Sequence, residues 1–138
     1  MTDTAPPGPL VQEITTGEDV VRVRQLVRAA AVVAKLSLVD QTKVVTAASE
    51  LARNTLIHGG GGRVEIEQVS SGRRTGLRLT FTDEGPGIED PDRALVDGYS
   101  TGTGLGLGLS GARRLMDEFE LETARGRGTV VRAIKWQR

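Results

Sequence analysis

The stretch Ser100-Thr-Gly-Thr-Gly-Leu-Gly-Leu-Gly-Leu-Ser-Gly111 decides how the rest of the chain is read. Its glycines leave backbone N–H groups unshielded. Where such a run leads into a helix, the positive end of the helix dipole adds to them, and the combination suits phosphate oxygens. A flexible linker is the competing reading. Leu105, Leu107 and Leu109 speak against it, because glycine-serine linkers lack apolar anchors. Two familiar phosphate motifs are absent. No G-x-x-x-x-G-K-S/T occurs, which removes the P-loop. Gly106, Gly108 and Gly111 satisfy G-x-G-x-x-G, but no strand runs into them and no acidic residue follows about 20 positions on in a parallel unit. Arg132-Ala-Ile-Lys135 faintly echoes a strand of eukaryotic-type protein kinases, yet the H-R-D and D-F-G motifs are missing.

Working outward, Asp83-Glu-Gly-Pro-Gly87 directly follows a strand predicted at Leu77 to Thr82. There the chain leaves a sheet edge, an exposed carboxylate can meet a ligand, and Gly85 and Gly87 let backbone approach closely. A plain Pro-Gly turn explains the same residues. Further upstream, Glu50 and Asn54 lie four apart on a predicted helix and share a stripe. A carboxylate can orient a hydroxyl, and a carboxamide oxygen can serve Mg2+, a hard cation. Taken alone, such a pair is more often an ordinary helix surface.

Periodicity supplies the frame. A short strand is expected at Leu10 to Thr15, a helix from Glu18 to about Ala34, and a second helix from about Val39 to His58, closed by Gly59 to Gly62. Val64 to Val69 and Leu77 to Thr82 alternate as two strands of a hairpin. A helical turn at Asp92 to Val96, a third helix from Leu107 or Ser110 to Glu118, and strands at Phe119 to Thr123 and Thr129 to Trp136 complete the order. This order suggests an antiparallel or mixed sheet carrying helices on one face. Met1 to Pro9 reads as a flexible tail, leaving one domain from residue 10 to 138.

Composition narrows the function. The 138 residues hold 18 Lys plus Arg and 18 Asp plus Glu, so no broad basic field attracts nucleic acid or anionic lipid. With no cysteine and one histidine, His58, thiolate chemistry and histidine-rich metal sites are excluded, and His58 reads as a capping or surface residue. The longest apolar run, Ala29 to Ala34, is far too short to span a bilayer, and the first residues do not form a signal peptide. A cytoplasmic protein is expected.

Taken together, Glu50-Leu-Ala-Arg-Asn54, Asp83-Glu-Gly-Pro-Gly87, Gly104-Leu-Gly-Leu-Gly108 and Gly128-Thr129 resemble, in order and spacing, the motifs of GHKL ATPases. The resemblance covers nearly the whole chain. It implies the Bergerat fold, an α/β two-layer sandwich whose mixed, mostly antiparallel sheet carries helices on one face and an ATP lid loop. Gly-Leu-Gly-Leu-Gly-Leu-Ser-Gly, Arg-Arg-Leu-Met-Asp-Glu-Phe from 113 to 119, and Ala-Ile-Lys-Trp at 133 to 136 look closest to the RsbT-type switch kinases of bacterial stress signalling.

By that similarity, Asn54 binds the Mg2+ that bridges the ATP phosphates, Asp83 accepts the adenine amino hydrogen, and Thr129 supports the adenine end. Gly85 and Gly87 let the base lie against backbone. Gly104, Leu105, Gly106, Leu107 and Gly108 offer amides to the phosphates, and the segment from about Asp90 to Gly106 forms the lid. Glu50 acts as base toward a Ser or Thr hydroxyl. The implied function is a serine/threonine protein kinase that phosphorylates a STAS-domain antagonist and, once released, activates a downstream regulator such as a phosphatase. The related alternative is an anti-sigma factor that sequesters a sigma subunit and phosphorylates an anti-anti-sigma protein. A third is a nucleotide-binding adaptor without transfer activity. A homodimer is compatible with the apolar face from Val11 to Ala34, which packing within one monomer explains equally well.

Overall fold

The computed structural model of the chain describes residues 9–87, 108–123 and 126–138. Its frame follows from two-residue alternation. Val64 and Ile66, then Leu77, Leu79 and Phe81, then Val131 and Ala133 are buried on one side of three neighbouring strands. Successive side chains of a strand point to opposite faces, so these residues make one apolar surface. The strands are β1 (Leu10–Ile14), β2 (Gly62–Ser71), β3 (Arg74–Asp83), β4 (Glu118–Thr123) and β5 (Thr129–Trp136). They form one sheet in the order β1-β2-β3-β5-β4. Each of the four described pairings is antiparallel, so the described sheet is fully antiparallel within the mixed, mostly antiparallel sheet the resemblance implies.

The apolar surface is covered by α1 (Gly17–Val33) and α2 (Leu38–Ile57), with α3 (Gly108–Leu115) packed against α2. Helix α1 turns Val20, Val23, Val27 and Ala31 inward, and α2 adds Val44, Val45, Ala48, Leu51 and Ala52. A capping box fixes the start of α1. The Thr16 hydroxyl accepts from the Asp19 N–H, and the Asp19 carboxylate accepts from the backbone N–H groups of Thr15 and Thr16. The bond from the Thr15 N–H contributes most to holding the Asp19 carboxyl below its usual value.

One expectation is corrected. The third helix ends at Leu115 rather than Glu118, and Glu118 already belongs to β4. The Asp117 N–H donates to the Ile134 carbonyl at 2.9 Å, and the Asp117 carboxylate accepts the Trp136 N–H at 2.7 Å. Together they draw the chain into the sheet three residues early. The helical turn read at Asp92 to Val96 lies outside the described residues.

At this end of the sheet a lysine is buried. Lys135, 3% exposed, donates to the Leu115 carbonyl at 3.0 Å and lies 3.5 Å from Asp117 and 3.8 Å from Asp40. Beside it, on the opposite face of the sheet, Trp136 lies over Gly76, with the Arg74 guanidinium 5.1 Å from its ring centre and its indole N–H bonded to Glu118.

Candidate active site

The inward stripe of β3 runs Leu77, Leu79, Phe81, and its next member is Asp83. The alternation that builds the core therefore also aims this carboxylate toward the helix layer, one row beyond the apolar rows. The strand register places Gly62, Asp83, Thr129 and Thr123 side by side in that row. The Gly85 N–H donates to the Asp83 carboxylate at 2.9 Å, and the Thr129 N–H also faces it. Burial pushes the Asp83 carboxyl above its usual value, and these two N–H groups only partly offset the rise.

Backbone closes in on Asp83 from three directions. A methyl group on Gly59 would overlap the carboxylate, with Oδ2 only 2.6 Å away. One on Gly85 would strike the Gly59 carbonyl at 2.7 Å. Gly128, with φ of 80°, presses on the Asp83 carbonyl oxygen and leaves no room for a side chain. Behind them, the Gly126 N–H donates to the Pro86 carbonyl at 2.7 Å, and the hydroxyls of Thr123 and Thr129 are 3.0 Å apart.

Helix α2 brings the second group. The Asn54 carbonyl accepts the N–H groups of His58 and Gly59, so the residue that presses on Asp83 is tied directly to the Asn54 turn. Glu50 is one turn earlier, its side chain 14% exposed and 3.6 Å from the Arg53 guanidinium. His58 is the exposed C-cap of α2, as expected.

Asp83, Gly85 and Thr129 thus lie together at one end of the strands, with the Asn54 turn of α2 joined to them through Gly59 and Glu50 one turn earlier. Gly87, with φ of 78°, lies on the chain leaving that end, and Gly108, half-buried, opens α3. Gly104, Leu105, Gly106 and Leu107, with the lid expected from about Asp90 to Gly106, lie outside the described residues. Gly59 and Thr123 were not anticipated. The four-glycine run from 59 to 62 already had a sufficient reading as a helix stop, which hid the close approach of its first member.

The profile of the histidine kinase-like ATPase domain matches residues 15–135, and the chain belongs to that family. Within it, the chain is 47% identical over 125 residues to the serine/threonine-protein kinase RsbT of Bacillus subtilis, covering 91% of this chain and 94% of that protein. It is 33% identical over 99 residues to an anti-sigma F factor of a Thermoanaerobacter species, covering 67% of this chain and 68% of that protein. Among solved structures, the RsbU and RsbW domains of a Mycobacterium tuberculosis protein superpose with a TM-score of 0.66 at 22% identity, over 95% of this chain and 33% of that one. The catalytic domain of the histidine kinase ThkA gives 0.52 at 19% identity, over 91% of this chain and 95% of that one. Both structures share the fold. Among the described residues, no helix is long and apolar enough to cross a membrane.

Proposed function

We propose that the chain, in a domain from residue 10 to 138, is a cytoplasmic ATP-dependent protein serine/threonine kinase of an RsbT-like partner-switching module. It phosphorylates a STAS-domain antagonist and, when released, activates a downstream regulator. The observation that carries the reading is the Asp83 carboxylate, held at the end of the core stripe against the Cα of Gly59 and bonded by the Gly85 N–H. A flat, donor-bearing heterocycle such as adenine fits a site where one acceptor is surrounded by bare backbone. The 47% identity to a serine/threonine-protein kinase over nearly its whole length supports the transfer step.

Each residue then has a physical task. Asp83 accepts from the adenine amino group, and the Thr123–Thr129 hydroxyl pair lies next to it in the same row. The Asn54 carboxamide oxygen is a hard donor suited to Mg2+, which would be shared with the ATP phosphates and would neutralise their charge. Backbone amides of the Gly104 to Gly108 run supply further N–H donors to the phosphates. Glu50 orients the acceptor hydroxyl and takes its proton as the oxygen bonds to the γ-phosphorus and ADP leaves.

The reading is tested by incubating the purified chain with Mg2+, labelled ATP and a panel of STAS-domain proteins, then locating any modified side chain by mass spectrometry. Nucleotide binding with no transfer to any of them would leave an adaptor. The 33% identity to an anti-sigma F factor favours a second reading, in which the chain holds a sigma subunit. Stable capture of a sigma subunit by the purified chain would replace the RsbT-like assignment.

A further inference from the structure

The charge balance of zero conceals a separation between layers. From Gly17 to His58 the basic side chains are Arg22, Arg24, Arg28, Lys35, Lys43 and Arg53, against Glu18, Asp19, Asp40 and Glu50. Glu18 and Asp19 lie in the first turn of α1, and Asp40 is buried and faces Lys135 and Arg138, so beyond that turn Glu50 is the one acid left toward solvent on this stretch. The other face of the sheet leans the opposite way, with Glu13, Glu65, Glu67, Glu118, Glu120 and Glu122 against Arg63, Arg74, Arg78 and Arg132.

The basic side chains are also arranged in space. Arg24, Arg28 and Val32 recur every four residues and form one stripe of α1. Across from Arg24, residues of both helices line an open groove of about 290 Å³: Arg24, Val45, Thr46, Ser49, Glu50 and Arg53. Beyond it, toward the α1–α2 turn, lie exposed Arg28 and Val32 on the same α1 stripe and Leu38 and Val39 at the start of α2, the three apolar side chains each more than half exposed. One end is therefore the Glu50 carboxylate, the middle is cationic, and the far end is apolar. Eleven helical residues separate Glu50 from Val39, roughly 16 Å along the axis.

We propose that this α1–α2 groove is the docking surface for the acceptor protein, and that it selects an acidic surface segment. In that segment the Ser or Thr faces Glu50, carboxylates lie beside Arg24 and Arg28, and an apolar side chain meets Val32 and Val39. The inference rests on the kinase reading and names the chemistry of its substrate. Guanidinium groups match carboxylates in paired hydrogen bonds, and a one-signed groove raises the encounter rate with an oppositely charged partner.

The test uses the full chain, a STAS-domain protein that it phosphorylates, and a fluorescein-labelled peptide of Glu and Leu around one Ser. The double variant Arg24→Glu/Arg28→Glu should raise KM for the acceptor at least 30-fold while kcat changes less than twofold. Arg132→Glu on the sheet face should leave it unchanged. Unchanged KM in the double variant, or an equal rise in Arg132→Glu, overturns the proposal. Peptide binding separates its failure from that of the kinase reading. If no acceptor is phosphorylated, that reading falls, while salt-sensitive peptide binding lost in the double variant still supports an acidic docking groove. No peptide binding, or equal binding of single-stranded DNA of the same charge, overturns it.

Discussion

The Cα of Gly59 rests against the carboxylate of Asp83, so closely that no β-carbon fits between them. A helix terminus thereby sets the position of a strand-borne acceptor. Gly59→Ala should move the carboxylate and lower ATP affinity at least tenfold, with the fold retained. Gly17→Ala, where nothing lies within 4 Å, should bind ATP normally. Equilibrium titration with a fluorescent ATP analogue checks both, and equal affinities would remove Gly59 from the site.

Asp83 should make nucleotide binding sensitive to acid. Burial raises its carboxyl above the usual 3.8, so it is protonated, and loses its role as a pure acceptor, at a higher pH than an ordinary aspartate. Affinity should fall as pH drops through that raised value. The sign for stability is opposite. A raised folded-state value favours the fold at low pH, and that advantage is lost as pH rises through it. Asp83→Asn should therefore leave the nucleotide-free protein at least as stable at neutral pH, while lowering ATP affinity. Loss of both stability and affinity would indicate a structural role instead.

Glu50 and Asn54 should separate in kinetics. Glu50→Ala should keep ATP affinity within about threefold and reduce phosphotransfer by 100-fold or more, the usual scale of a general base. Asn54→Ala should weaken the Mg2+ dependence of binding. Single-turnover transfer and titrations with and without Mg2+ measure the two effects. A Glu50→Ala variant that transfers phosphate normally would vacate the assigned role.

The buried Lys135 holds the far end of the sheet. Removing one partner of a buried ion pair leaves a charge uncompensated, which costs about 3–5 kcal/mol. Lys135→Ala should approach the lower figure in urea unfolding, since Arg138 still reaches Asp117 and Asp40. Burial would raise the Asp117 carboxyl, but the Trp136 N–H, Lys135 and Arg138 outweigh it and hold the group below 3.8. Its contribution to stability is present above the usual carboxylate value and is lost as pH falls through the lowered one. Asp117→Asn should flatten that acid limb. An unaltered limb would show that another carboxylate governs it.

Much of this frame is legible in local pattern. Thr129 to Trp136 alternates so regularly that its bounds as a strand are read correctly. The end of α3 is not legible, because it depends on Asp117 meeting Trp136, a partner 19 residues away in sequence. The site divides in the same way. Asp83 stands out at the end of a strand stripe, whereas Gly59 gains its role only when the sheet brings β3 beside the end of α2. Lys135 looks like an ordinary polar position in an alternating strand. Its burial is decided by where α3 comes to rest.

Trp136 is the one tryptophan in the chain, and its ring lies between Gly76, Arg74 and Glu118. Seven residues of extended β5, roughly 23 Å, separate it from Thr129. Its fluorescence is therefore a built-in reporter of the whole fold that does not look directly at the proposed nucleotide site. Unfolding can be followed by emission with ATP present or absent, without a label. A midpoint raised by ATP would then measure binding through stability, with the optical signal arising far from the ligand.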